Sequence, residues 1–202
     1  MQLDGVGIDV GVRHFLTDSD GRQIENPRFY GRMPERIRIL QRSVSRKKID
    51  SANRMRAILR LNKGHEKLRN QRNDFLHKLS RFYVDNYDII VTECLNIHRM
   101  VRGRGYARSI LGTSWGRFFQ MLSYKAERAG RTLLRVNPAY TSQENTNIIE
   151  DRDFRASVNI LNRGLSGLGR PLVPVETKPL RVIPASFVVE AGNSALGRGS
   201  SH

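Results

Sequence analysis

The chain has 202 residues and a mass of 23.1 kDa, which is enough for one domain of ordinary size. Its 35 lysines and arginines outnumber its 19 acids and give a formal charge of +16, so the expected partners are polyanions, above all nucleic acids. No apolar run approaches the roughly 18 residues of a membrane span, and the first residues lack the pattern of a secretion signal. We therefore expect a cytoplasmic protein with no membrane partner.

The first 27 residues predict three short strands, at 6–9, 13–17 and 23–26. The second and third are joined by the turn DSDG at 18–21, where Gly21 supplies the positive φ of a hairpin turn. Pro27 ends the third strand. These features predict an antiparallel meander.

Two helices follow and predict a hairpin arm over 28–82. Pro34 suits the first turn of the first helix, and Asp50 or Ser51 suits the start of the second. The second helix has an apolar stripe at helical spacing, composed of Met55, Ile58, Leu61, Leu68, Phe75 and Leu79.

The arm carries most of the positive charge. Residues 28–81 contain 17 lysines and arginines but only four acids, whereas ordinary solvated helices mix both signs. We expect the arm to follow backbone phosphates without reading sequence. The predicted contact residues are Arg42, Arg46, Lys47, Lys48, Arg54, Arg56 and Arg60, together with Arg102, Arg104 and Arg108 of a basic loop at 99–112.

The rest of the chain alternates strands and helices. An apolar run at 88–95 predicts a buried strand, a helix begins at Ser114 and ends at Gly130, and 132–136 is another strand. A last helix starts near Asp151 and ends at Gly164, and 164–202 is predicted to be an irregular tail. The order predicts an α/β fold with a ribonuclease H-like mixed sheet over 1–163, interrupted by the arm and flanked by helices.

Three acids lie at positions where a lone carboxylate is costly. Asp9 and Glu93 end apolar strands, and Asp153 opens a helix. Such acids, if they converge, would bind hard divalent cations, either Mg²⁺ or Mn²⁺. Two ions could support phosphodiester hydrolysis. Each acid also has a structural interpretation: Asp9 could receive turn amides, and Asp153 could cap its helix, with Asp151 or Glu150 as alternatives.

The remaining metal-binding residue types give weaker signals. The histidines (His14, His65, His77, His98 and His202) share no ligand spacing, so we place them on the surface or the arm. Cys94, the single cysteine, excludes a disulfide framework and a cysteine zinc site, and we interpret it as a buried filler. We expect no zinc and no small-molecule cofactor.

As a set, several segments resemble the RuvC-like nuclease half of the TnpB (OrfB) family, which is related to the type V CRISPR effector nucleases. The segments are GIDVGVRHFLTDSDGRQIENPRF (7–29), LQRSVSRKK (40–48), NQRNDFLHKLS (70–80), IIVTECLNI (89–97), SWGRFFQMLSYKAERAG (114–130), VNPAYTSQ (136–143) and DRDFRASVNIL (151–161). The resemblance implies an RNA-guided DNA endonuclease that needs Mg²⁺, with DNA and a guide RNA as partners. It implies that Asp9, Glu93 and Asp153 are its catalytic acids.

Three features depart from the family pattern. The four-cysteine zinc ribbon is missing between Gln143 and Asp151, the guide-binding N-terminal half is missing, and Arg155 replaces an expected asparagine. We therefore expect a truncated form. The main alternative is a nuclease-incompetent remnant that binds DNA or RNA. A sugar-kinase or actin-like domain also begins with a strand such as GIDVG, but the second phosphate loop of those folds is not found.

Overall fold

A computed structural model describes residues 4–27, 33–94, 114–137, 152–173 and 179–190. The strands are β1 (Gly5–Asp9), β2 (His14–Asp18), β3 (Arg22–Glu25), β4 (Ile89–Glu93), β5 (Thr132–Val136) and β6 (Arg181–Ile183). The helices are α1 (Met33–Ser45), α2 (Ala52–Asn86), α3 (Trp115–Arg128), α4 (Arg152–Gly167) and α5 (Ala185–Glu190). The chain divides into two compact units, a sheet unit (Met1–Pro27 with Leu76–His202) and an arm unit (Arg28–Phe75).

The sheet unit contains a six-stranded mixed sheet in the order β5-β4-β1-β2-β3-β6. The first three strands form the predicted antiparallel meander, and β4 adds to β1 in parallel, followed by β5 in parallel to β4. Gly21 adopts the predicted positive φ, at 84°. This topology with its flanking helices confirms the predicted ribonuclease H-like α/β class.

The C-terminal region departs from the prediction of an irregular tail. The last predicted helix continues beyond Gly164 to Gly167, and β6 pairs in parallel with β3 at the edge of the sheet. The short helix α5 follows. Sequence periodicity misses β6 because its three residues, Arg181–Ile183, are too few to show an alternation.

Helix α4 packs directly on one face of the sheet through two glycines. A Cβ atom on Gly7 would lie 2.0 Å from the carbonyl oxygen of Ser157, and one on Gly164 would lie 2.5 Å from a methyl carbon of Val91. Only a residue without a side chain permits this approach of helix and strand. The packed cluster between them consists of Ile89, Val91, Ile160, Leu161 and Leu165.

The end of α2 in the sheet unit lies on the opposite face. Gly7 faces α4, so the next residue, Ile8, faces the other side of the sheet. Asp18 pairs with Ile8 and therefore lies on that other side as well. The fully buried Asp18 carboxylate accepts bonds from Tyr83 at 3.0 Å and from Arg22 at 3.1 Å. Burial raises the pKa of Asp18 despite the neighbouring guanidinium. The sheet is therefore covered on both faces, as predicted.

The arm unit is built from α1 and the first part of α2. The Ser51 side chain accepts a bond from the Arg54 amide at 3.2 Å, which supports the predicted start of α2. Leu68 and Phe75 of the predicted stripe are buried, but Met55 is 63% exposed. Met55 of the predicted stripe therefore lies outside the core. Among the described residues, no helix combines the length and apolar character needed to cross a bilayer.

Candidate active site and nucleic-acid interface

Asp9 and Glu93 end neighbouring parallel strands. The register pairs Gly7 with Val91 and Ile8 with Thr92, so the next position places Asp9 beside Glu93. Side chains alternate along a strand, so Asp9 shares the face of Gly7 and Glu93 shares the face of Val91. That face is the one covered by α4.

The first turn of α4 brings the third acid to the same end of the sheet. Asp153 is the second residue of α4, and the contact of α4 with Gly7 fixes this helix against β1. One oxygen of the Asp153 carboxylate lies 3.6 Å from the position that a Cβ on Gly11 would take, just after β1. The candidate site therefore lies where β1, β4 and the start of α4 meet.

The pKa of Asp9 reflects the proximity of the other two acids. Its pKa is raised from 3.8 to about 8, first by burial and then by the negative charges of Glu93 and Asp153. The Val10 amide and the guanidinium of Arg152 act in the opposite direction. The site thus concentrates negative charge that the protein groups only partly neutralise.

The chemistry of these donors suits a hard divalent cation. Three half-buried carboxylates supply oxygen ligands, and a cation would relieve the repulsion that raises the pKa of Asp9. Within the described ranges, however, no three histidine, cysteine, aspartate or glutamate side chains are arranged as a ready-made metal site. Because like charges separate when no cation holds them, closer approach of the carboxylates would accompany metal binding.

The predicted arm contacts form two groups in the described part of the chain. Arg42, Arg46 and Lys47 line one hollow of about 410 Å³ in the arm unit, together with Ile39 and Ser43. Arg60 lines a second hollow, of about 290 Å³. Neither hollow includes the other predicted cations of the arm, Lys48, Arg54 and Arg56. Arg102, Arg104 and Arg108 lie outside the described residues.

Two minor predictions about potential ligands were wrong. His14 is buried in β2, with 9% of its surface exposed, and neither ring nitrogen has a hydrogen-bond partner. Cys94 is exposed rather than a buried filler. It borders a cleft of about 420 Å³ that also includes Glu93, Arg135 and Tyr124. The local sequence around each residue indicated neither the burial of His14 nor the exposure of Cys94.

Sequence reasoning also missed residues that shape the site. Gly7 and Gly164 determine how close α4 comes to the strands, and Arg152 lowers the pKa of Asp9 against the raising effects. A glycine inside an apolar strand signals close approach of another backbone, so GVGID already contained the clue for Gly7.

Comparison with known proteins gives concordant matches. The family model OrfB_IS605, described as "Probable transposase", matches residues 2–104, and the model "Cas12f1-like, TNB domain" matches residues 115–160. A protein of Streptomyces pristinaespiralis named as an RNA-guided DNA endonuclease is 32% identical over 182 residues, covering 80% of this chain and 45% of that protein.

Two further relatives match over shorter ranges. The Escherichia coli K12 protein InsQ, also named as an RNA-guided DNA endonuclease, is 33% identical over 153 residues, covering 68% of this chain and 38% of InsQ. The TnpB-like protein MJ1635 of Methanocaldococcus jannaschii is 38% identical over 92 residues, which is 44% of this chain and 20% of that protein. The chain thus spans less than half the length of each relative.

Proposed function

The chain belongs to the OrfB (TnpB) family of transposase-associated proteins, and we propose that it is a metal-dependent DNA endonuclease acting through Asp9, Glu93 and Asp153. Its relatives are named as endonucleases, which supports nuclease activity at the level of the family. We further propose DNA as the substrate and a guide RNA as a partner. Because the matched relatives extend well beyond this chain, the chain corresponds to part of such a nuclease.

One observation carries the proposal. Asp9 is half-buried, and both Glu93 and Asp153 lie near enough to raise its pKa. Asp9 is the acid on which both others act, and Asp9, Glu93 and Asp153 together would hold the cations. Two Mg²⁺ or Mn²⁺ ions, when bound, would activate the attacking water and stabilise the leaving 3′-oxygen.

The protein groups around the acids would orient the reaction. The Val10 amide donates a bond to Asp9, and the contact of Gly7 with Ser157 and Leu161 fixes α4 against β1, so Asp9 and the helix that carries Asp153 are held in place. Arg152 supplies positive charge beside the acids. The cations of the arm unit would bind the phosphate backbone of the strand, which supplies affinity without sequence preference.

Cleavage of labelled single-stranded DNA by the purified chain tests this proposal. We expect cutting that requires Mg²⁺ or Mn²⁺ and yields 5′-phosphate and 3′-hydroxyl ends. The single variants Asp9→Ala, Glu93→Ala and Asp153→Ala should each reduce the rate by at least about a hundredfold, because each removes a ligand of the site.

A matched control is available at the other end of the same strand. Asp4 is exposed just before β1, so Asp4→Asn removes an acid without touching the site and should leave the rate unchanged. Persistence of metal-dependent cutting in Asp9→Ala or Glu93→Ala would exclude those acids from the mechanism.

The second candidate function is a nucleic-acid-binding remnant without turnover. The positive charge of the arm favours it independently of the acids. In that case the chain would bind DNA with an affinity that falls steeply with salt, and neither metal would support cutting.

A further inference from the structure

A second hollow of the arm unit combines cations from both helices. Its volume is about 290 Å³. Its lining is four cationic side chains, one leucine and one glycine. The residues are Arg36 and Leu40 of α1, and Arg60, Lys63, Gly64 and Lys67 of α2.

Helical spacing explains why these residues face one another. Arg60, Lys63 and Lys67 follow one another at spacings of three and four, so they share one face of α2. Gly64 lies on the same face, where a Cβ would come within 3.1 Å of a methyl group of Leu40. The missing side chain therefore lets α1 approach and leaves an apolar floor between the cations.

The charge of this hollow is not balanced by its own lining. Four positive groups border it and no acid does, although Glu35 and Glu66 lie on the same two helices. Like charges held together repel one another, and a bound anion relieves that repulsion. The cationic rim suits a phosphate, and the floor of Leu40 and Gly64 suits the apolar side of a sugar.

We propose that this hollow binds one sugar-phosphate unit of a nucleic-acid strand. The site adds Arg36, Lys63 and Lys67 to the contacts predicted from sequence, which included only Arg60 of this group. The inference rests on the nucleic-acid binding of the proposed function, but it does not depend on cleavage.

Two matched double variants test the site. Arg36→Gln with Lys67→Gln removes one cation of the hollow from each helix. Arg38→Gln with Arg69→Gln removes one exposed cation from each helix two positions away, outside the hollow. The two variants have the same net charge and affect the same helices.

Binding is measured with fluorescent 20-nucleotide DNA and RNA strands over a range of salt in EDTA, so that cutting plays no part. We expect the hollow variant to bind about tenfold more weakly, as the loss of two charge-assisted contacts implies. Its slope of log affinity against log salt should fall by about 0.7, the value for one phosphate of a single strand. The control variant should change affinity by less than about twofold.

A third variant separates the apolar floor from the charge. Leu40→Gln makes the floor polar without changing net charge, and it should weaken binding while circular dichroism shows unchanged helicity. Equal losses in the hollow and control pairs would reduce the effect to general charge and overturn the site, and so would the absence of loss in the hollow pair.

The outcome is distinguishable from failure of the nuclease proposal. If the chain binds strands through the hollow but cuts none of them, the binding site is supported and the endonuclease proposal fails. A preference for the RNA or the DNA strand would identify which of the two supplies the sugar-phosphate unit.

Discussion

The sheet unit and the arm unit use charge in opposite ways. In the sheet unit a few charged groups are buried, and packing determines their positions: Asp18 is bonded by Arg22 and Tyr83, and Asp9 lies beside two other acids. In the arm unit many cations lie on exposed helix faces around shallow hollows. The contribution of a buried charge to stability depends on its particular neighbours, whereas exposed cations make small contributions that add together. Substitutions should therefore have large single effects in the first unit and small, additive effects in the second.

The largest effect is expected at the buried ion pair. The Arg22 guanidinium bonds Asp18, Asp20 and the hydroxyl of Tyr87, and it lies 5.4 Å from the centre of the Phe82 ring. Arg22→Met leaves the Asp18 carboxylate buried without its cation, so the free energy of unfolding should fall by about 3–5 kcal/mol. Urea unfolding followed by circular dichroism measures this change.

An exposed pair provides the control for Arg22. Arg81 and Asp85 form an ion pair on the surface of α2, within the sheet unit. Arg81→Met should cost less than about 1 kcal/mol. Similar losses in the two variants would contradict the distinction between buried and exposed charge.

The next effect concerns the glycine that holds α4. Gly7→Ala places a methyl group 2.0 Å from the Ser157 carbonyl oxygen, which belongs to backbone and cannot rotate away. We expect a loss of about 3 kcal/mol in the free energy of unfolding, together with loss of metal-dependent cutting, because α4 carries Asp153. Thermal unfolding and the cleavage assay measure the two effects.

Gly167 is the matched control for Gly7. It ends α4, and a Cβ there would meet nothing within 4 Å. Gly167→Ala should keep both stability and cutting close to those of the unchanged chain. If Gly7→Ala behaves in the same way, the close approach of α4 to β1 does not position the site.

A smaller effect, which is a gain in stability, is expected when Asp9 is replaced by asparagine. The folded pKa is about 8 and the ordinary value is 3.8, so the unfolded chain releases the proton first. Stability should therefore fall as pH rises from about 4 to about 8 and change little above that. Asp9→Asn removes this loss, so at pH 8.5 in EDTA the variant should be more stable by at least about 1.4 kcal/mol, the equivalent of one pKa unit.

Adding Mg²⁺ should reverse the comparison at Asp9. The cation stabilises the chain that retains all three acids and has little effect on Asp9→Asn, because a ligand that binds only the folded state adds to its stability. Melting temperatures at pH 4.5 and pH 8.5, with EDTA or with Mg²⁺, check both effects. An equal stability of the two chains at pH 8.5 in EDTA would show that burial and the other acids do not raise the pKa of Asp9.

The smallest effect is expected from one cation of the arm unit. Arg46 is exposed and borders the hollow of about 410 Å³. Arg46→Gln should leave the free energy of unfolding within about 0.5 kcal/mol. It should lower the affinity for single-stranded DNA only about two- to threefold, with a slightly reduced salt slope. A tenfold loss from this one substitution would contradict additive binding by the arm.

The sequence by itself indicated the three-strand meander, the helical arm and the three candidate acids. Local signals suffice for these features: DSDG with Gly21 forms a tight turn, apolar runs end in Asp9 and Glu93, and cations crowd one stretch of helix. Chain order then restricts the sheet to few topologies, and the ribonuclease H-like arrangement is among them.

Only the tertiary structure decided which residues meet. The pairing of β1 with β4 in register, and the contact of α4 with Gly7, join acids that lie 60 and 84 positions apart. The pairing of β6 with β3, the burial of His14 and the exposure of Met55 follow in the same way from contacts between distant segments. Periodicity describes the face of one element, but it does not specify the partner of that face, because the partner depends on packing across the whole sheet.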